Sequence, residues 1–263
     1  MAKTRLDSLL VERGLFESRS RAAAAVMAGE VRLGEGGPRA EKPGQLIADD
    51  AQLVVEGGLE YVSRGGVKLA NGLDTFRIDP GSRQCLDVGA STGGFTDCLL
   101  QRGAGHVVAL DVAYGELHWR IRQDERVTVI ERMNARALDC AALPYRADLI
   151  VIDVSFISLA KVLPAVLACG APRFDCLALV KPQFEVGREL VGKGGVVRSA
   201  DDRRGALVSV GEAVTELGYS LLGFASSGLP GPAGNQETFV WIAEPGREGA
   251  VDDLDSAARE VEP

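Results

Sequence analysis

Histidine is scarce in this chain. Only His106 and His118 occur among 263 residues, so a zinc site of the His-Glu-x-x-His type is excluded. The five cysteines, Cys85, Cys98, Cys140, Cys169 and Cys176, are odd in number, and none form a Cys-x-x-Cys pair. Neither a zinc ribbon nor a disulfide framework is indicated, so no metal is expected, and the thiols read as small buried hydrophobes of a reducing compartment. No apolar run approaches the ~18 residues of a membrane span, and the opening Met-Ala-Lys-Thr-Arg-Leu-Asp has no apolar signal core. These absences point to a cytoplasmic protein with no membrane partner. Basic residues are also in deficit, 29 against 37 acidic, for a net charge of -8. Such a balance excludes an indiscriminate nucleic-acid coat. With 46% hydrophobic and 25% charged residues, the chain still has ample material for a packed core.

Charge is unevenly spread. Residues 1–33 are net +2, residues 34–60 are net -4, and residues 244–263 are net -5. Residues 1–60 read as a small α+β module. Leu6, Leu9 and Leu10 share a helical face that Gly14 ends, and Ser18 caps a second helix over 19–28 that Gly29 closes. Strands follow at 31–33 and 52–55. Arg5, Arg13, Arg19, Arg21 and Arg32 gather on or beside the two helices.

From residue 61 the pattern becomes strand and helix in alternation. Strands are predicted at 85–88, 107–110, 127–130, 149–152 and 176–180, and helices at 94–101, 158–168 and 201–217. Ser199, with Asp202 three residues on, has the form of a capping box for the last helix. This alternation predicts an α/β, Rossmann-like domain with a mostly parallel sheet. Two closing strands, 220–225 and 238–243, have no helix between them and are expected to be antiparallel. The predicted boundaries are thus 1–60, then 61–247 with a short linker at 61–66, then an acidic, disordered tail at 248–263.

The most informative stretch is Cys85-Leu-Asp-Val-Gly-Ala-Ser-Thr-Gly-Gly-Phe95, which leaves a buried strand and opens a helix. That position is the carboxyl edge of the sheet, where such folds bind ligands. A phosphate-binding P-loop fails because Phe95 stands where lysine is needed. The dinucleotide pattern fails because the glycines fall at 89, 93 and 94. Gly89-Ala-Ser91-Thr-Gly93 matches a hydrolase elbow, but the last histidine lies only 27 residues on, with half the sheet still to come. What remains is a loop for S-adenosylmethionine. Gly89, Gly93 and Gly94 permit close backbone approach, Asp87 at the strand tip attracts an ammonium group, and Asp111 ends the next strand. An acid about 20 residues on is the expected partner of ribose hydroxyls.

Two further strand tips carry charge, Asp153 after Asp148-Leu-Ile-Val-Ile and Lys181 after Cys176-Leu-Ala-Leu-Val. Charges there are costly unless paired or used. Here the chain resembles a known family over nearly its whole length. Arg5-Leu-Asp-Ser-Leu-Leu-Val-Glu-Arg-Gly-Leu, Ser18-Arg19, Gly29-Glu-Val and Lys42-Pro43-Gly resemble the alpha-L (S-four) RNA-binding module. Val62-Ser-Arg-Gly-Gly-Val-Lys-Leu69, Asp87 to Thr96, Ala109-Leu-Asp-Val-Ala-Tyr-Gly115, Asp153-Val-Ser-Phe-Ile-Ser158, Lys181-Pro-Gln-Phe-Glu185 and Gly234-Asn-Gln-Glu-Thr238 resemble the TlyA family. That family joins the module to a domain similar to FtsJ-type RNA ribose 2′-O-methyltransferases.

The resemblance implies S-adenosylmethionine-dependent methylation of a ribose, with cytidine of ribosomal RNA as target and ribosomal RNA or subunits as the partner of a monomeric chain. It implies a catalytic set of Lys68, Asp153, Lys181 and Glu237. It also implies a donor-binding set of Asp87, Gly89, Ser91, Thr92, Gly93, Gly94, Phe95, Asp111, Asn134 and Asp153. RNA contacts are expected from Arg5, Arg13, Arg19, Arg21 and Arg64. The residue types suit the chemistry. A lysine near its usual pKa of ~10.4 is a poor base at neutral pH, and a second lysine or desolvation makes it a better one. Lys181 is expected to meet the hydroxyl, Lys68 to tune it, and the two carboxylates to hold both. His118 and the glycine-rich 192–198 segment have plain structural readings as well. Two other functions compete: a cytolysin or haemolysin, the activity behind the family's name, and a non-catalytic RNA-binding assembly factor.

Overall fold

A computed structural model describes residues 3–16, 18–27, 29–55, 60–231 and 233–262. The chain divides into two compact units, residues 1–60 and 61–263.

In the first unit β1 (Lys3–Arg5) runs straight into α1 (Leu6–Glu12), followed by α2 (Arg19–Met27), β2 (Val31–Leu33), β3 (Leu46–Ala48) and β4 (Leu53–Val55). β1 pairs antiparallel with β3, and β2 with β4. The stop signals are glycines with left-handed backbone, Gly14 at φ +70° and Gly29 at φ +76°. Ser18 Oγ accepts the Arg21 amide at 3.3 Å. Ala28, the expected end of the second helix, lies outside the described residues. Leu6, Leu10, Ala22, Val26 and Val31 form the core. β1 and β3 were not anticipated because three residues are too few to show a period.

The second unit contains α3 (Arg64–Phe76), β5 (Gln84–Val88), α4 (Gly94–Gln101), β6 (His106–Leu110), α5 (Trp119–Arg122), β7 (Val127–Ile130), β8 (Ala147–Ile152), α6 (Leu163–Leu167), β9 (Gly170–Val180), α7 (Pro182–Glu185), α8 (Ala200–Glu216), β10 (Ser220–Ser226), β11 (Thr238–Ala243) and α9 (Leu254–Val261). The sheet order is β10-β11-β9-β8-β5-β6-β7. β11 is antiparallel to both β9 and β10, and the remaining pairs are parallel. Successive residues of β8 feed opposite faces: Ile150 and Ile152 pack with Leu163 and Val210, while Leu149 and Val151 pack with Leu69 and Leu99. Strand order reverses between β5 and β8, and the crevice at their carboxyl ends is where such sheets hold ligands.

Four expectations are corrected. Residues 64–66 are not linker but the first turn of α3, which Ser63 caps by accepting the Gly65 amide at 3.3 Å. The Gly65-Gly66 pair disguised that helix, yet a Cβ on Gly66 would lie 2.3 Å from the Tyr61 ring. The predicted helix over 158–168 is a 3-10 turn, Leu159–Lys161, followed by the shorter α6. The tail expected to be disordered carries α9, whose Ala258 is fully buried. Its acidic composition hid an apolar stripe of Leu254, Ala258 and Val261, spaced to face one side of a helix. Finally, Cys140 and Cys169 form a disulfide with Cα atoms 5.1 Å apart, and Cys85, Cys98 and Cys176 are free and buried. A separation of 29 residues says nothing about proximity when β8 and α6 return the chain between the two ends.

Candidate active site

The next-to-last residue of β5 is a carboxylate with no exposure. Asp87 Oδ2 accepts the Thr96 hydroxyl at 2.6 Å, and Oδ1 is buried without a hydrogen-bond partner. Burial pushes its pKa up to about 7, with Thr96 working against the shift and Asp153 adding to it. An unsatisfied buried oxygen of this kind is what a cationic amine would satisfy. Thr96, on the first turn of α4, was not singled out from sequence; its place nine residues after Asp87, on the helix the loop opens, is the available signal.

The glycines of the loop answer first to the protein itself. A Cβ on Gly89 would lie 2.5 Å from the Asp153 carbonyl oxygen, and one on Gly94 2.1 Å from Ser63 Oγ. Gly89 and Gly93 also have positive φ, +86° and +93°. Between them Ser91 presents its amide to Asp111 Oδ2 at 2.7 Å, while Asp111 Oδ1 takes the Ala113 amide at 2.8 Å. Each oxygen retains a lone pair for a hydroxyl. Ser91, Asp111, Ala109, Glu116 and Leu117 line a pocket at this end of β6, and Glu116 is a wall residue that the sequence reading missed. Thr92 uses its carbonyl to accept the His118 amide at 3.1 Å, and His118 Nδ1 in turn accepts the Arg120 amide at the start of α5. Phe95 is buried, its ring centroid 6.0 Å from that of Phe239, so only its backbone is free to meet a ligand. Asn134 is exposed and accepts the Arg136 amide at 3.1 Å, capping a 3-10 turn.

Two lysine–carboxylate pairs complete the edge. Lys181, just past β9, sits with Nζ 2.6 Å from Asp153 Oδ1 and donates to Ser155 Oγ at 2.9 Å. Lys68, on α3, lies 2.5 Å from Glu237 Oε2, and both side chains are almost fully buried. Thr238 pairs with Val180, so one further step of the antiparallel register sets Glu237 opposite Lys181. Asp153 follows Ile152, which pairs with Val88 on β5. Asp87, Asp153, Lys181 and Glu237 therefore lie along one edge of the sheet, with Lys68 tied to it through Glu237. Glu185 braces the same edge: its Oε1 accepts the Leu159 amide at 2.9 Å, and burial raises its pKa.

The arginines are partly committed elsewhere. Arg5 and Arg19 share the Asp7 carboxylate at 2.8 and 3.3 Å, and these charges hold Asp7 well below the usual carboxylate range. Arg13 donates to the carbonyls of Asp49 and Ala51, and Arg21 lies on the exposed side of α2. Arg64, at the start of α3, donates to the Pro230 carbonyl.

The model of FtsJ-like methyltransferases matches residues 61–244. The 16S/23S rRNA (cytidine-2′-O)-methyltransferase TlyA of Mycobacterium tuberculosis is 50% identical over 242 residues, 91% of this chain and 90% of that protein. The chain belongs to the TlyA family of FtsJ-like methyltransferases. YqxC of Bacillus subtilis, whose name places it with the rRNA methyltransferases, is 46% identical over 93% of this chain and 87% of its own. A solved structure of a protein with a hemolysin name, from Streptococcus thermophilus, aligns with TM-score 0.76 and 38% identity over 99% of this chain and 96% of that one. As a TlyA-family protein the chain is an enzyme that transfers methyl groups, and its charged sheet edge lies within the matched residues.

Proposed function

We propose that this methyltransferase modifies the 2′-hydroxyl of a cytidine ribose in ribosomal RNA, with S-adenosylmethionine as donor. The observation that carries the reading is the pairing of Lys181 with Asp153 and of Lys68 with Glu237 at the sheet edge beside the glycine loop. The name of the Mycobacterium tuberculosis relative supports the substrate.

The donor, when bound, supplies an electrophilic methyl group on a sulfonium. Asp87 would hold its ammonium end, since Oδ1 is buried and unpartnered, and Asp111 with the Ser91 loop would hold its ribose. Lys181 then meets the RNA hydroxyl and takes up its proton as the new carbon–oxygen bond forms. Asp153, at 2.6 Å, shares the proton that Lys181 gains. Lys181 must be neutral at the moment of attack, and Asp153 balances the ammonium that forms as the hydroxyl proton arrives. Lys68 keeps a balancing carboxylate in Glu237, so its part is to fix the geometry of the edge rather than to repel Lys181. Alignment of hydroxyl and methyl supplies much of the remaining rate.

Arg5, Arg13, Arg19 and Arg21 of the first unit would contact RNA phosphates, and the net charge of only +2 over residues 1–33 suits a selective grip on folded RNA. The reading makes ribosomal RNA or subunits the partner and the cytoplasm the place of action. Among the described residues no helix is long and apolar enough to cross a membrane. The deciding experiment supplies methyl-labelled S-adenosylmethionine with ribosomal subunits and with free RNA, then maps the label. Label on a cytidine 2′-oxygen is expected; no incorporation, or label on a base, overturns the reading.

A further inference from the structure

The end of α9 reaches the catalytic edge through a buried carboxylate. Glu262 is 4% exposed although it closes an acidic segment. Its Oε2 accepts Arg203 Nε of α8 at 2.9 Å, and its backbone carbonyl accepts Arg204 at 3.0 Å. In the amide orientation that satisfies both groups, Gln236 Nε2 donates to Oε2 at 2.9 Å and to Oε1 at 3.2 Å. Gln236 is the immediate neighbour of Glu237.

The same contacts extend to the glycine-rich segment. Arg203 also donates to the Arg198 carbonyl at 2.9 Å. Asn235, 1% exposed, accepts the Val197 amide at 2.9 Å and donates to the Gly195 carbonyl at 2.8 Å. Residues 195–198 and 234–237 are thus clasped together, and Glu262 grips one strand of the clasp directly and the other through Arg203. A buried charge is costly unless its partners are fixed, so the geometry of this network is narrowly defined.

We propose that Glu262 is a positioning residue for methyl transfer, holding residues 234–237 and 195–198 in the arrangement that presents Glu237 to Lys68. The proposal rests on the reading of the catalytic edge given above. Glu262 touches no group assigned to the reaction, so it acts through Gln236 and Arg203. The segment predicted to be a solvated tail thereby becomes part of the working enzyme.

The test uses the full chain and two kinds of readout. In Glu262→Ala, hydrogen exchange of residues 192–198 and 234–237 is expected to speed at least tenfold without RNA or donor, while the β9–β11 ladder keeps its protection. For methylation of ribosomal RNA, kcat is expected to fall about tenfold with the donor KM unchanged. Glu262→Gln, which keeps an acceptor for both Arg203 and Gln236, is expected to recover most of both. Gln236→Ala is expected to lower kcat similarly, and the double variant should be little worse than either single one. Unchanged exchange in the two segments overturns the proposal whatever the enzyme methylates. So does a double variant whose losses multiply, or a uniform rise in exchange across the sheet. Absence of any methylation by the wild-type chain strikes the functional reading instead, and the exchange arm still decides the role of Glu262.

Discussion

Lys68 and Glu237 meet at 2.5 Å although 169 residues separate them. One lies on a helix before the first strand of the sheet, the other at the head of the last. A lone lysine or a lone glutamate in so buried a place would carry a large desolvation cost, and each offsets part of that cost for the other.

The two lysines should therefore fail differently. Lys181→Ala is expected to lower kcat by about 10²–10⁴-fold, the range for losing a proton-transfer group, and to cost less stability than Lys68→Ala, since Asp153 is 24% exposed where Glu237 is 1% exposed. Lys68→Ala leaves Glu237 buried and unpaired, and is expected to cost about 3–5 kcal/mol of stability as well as activity. Calorimetric donor titration and thermal melts beside single-turnover kinetics separate the two.

Asp87 is expected to make donor binding pH-dependent. Its folded pKa is raised to about 7 from an ordinary 3.8, so the stability it contributes is complete below the ordinary value and is lost as pH rises through about 7. The ligand-free protein should thus lose this component between about pH 4 and pH 7, and Asp87→Asn should abolish the change. An ammonium group favours the ionised carboxylate, so donor affinity should strengthen as pH rises through the same region. Calorimetry in buffers of different ionisation enthalpy should detect proton release on binding.

Arg13 and Arg19 should separate folding from RNA contact. Arg13 serves two backbone carbonyls, so Arg13→Ala is expected to lower stability by about 1 kcal/mol. Arg19 makes a looser 3.3 Å contact to Asp7 and is well exposed, so Arg19→Ala should leave the melt unchanged and reduce the salt slope of RNA binding by about one.

Cys140 and Cys169 should respond to reductant. Alkylation under denaturing conditions should label three cysteines without reductant and all five with it. A loop of this length predicts about 3–4 kcal/mol of stabilisation from the link, to be read as the difference between melts with and without reductant. Labelling of all five in both conditions would show that the link does not form.

The division of labour between sequence and fold follows from the range of each signal. Period-two and strand-then-helix patterns are local, so β5, β6, β7, β8, α4 and α8 could be read directly from the chain, and with them Asp87, Asp153 and Lys181 at strand ends. Glycine pairs, three-residue strands and an acidic helix carry weak or misleading local signals, which is why α3, β1, β3 and α9 emerged only from the structure. Which charges are partners was beyond any local pattern. Sheet order and register decided that Glu237 lies opposite Lys181 and reaches Lys68, that Glu262 closes on Gln236, and that Cys140 meets Cys169. The scarcity of histidine and the missing Cys-x-x-Cys pair did exclude a His-Glu-x-x-His site and a zinc ribbon from the chain alone, because those motifs need particular residue types at particular spacings. Whether two cysteines join depends on distance, which tertiary packing alone decides.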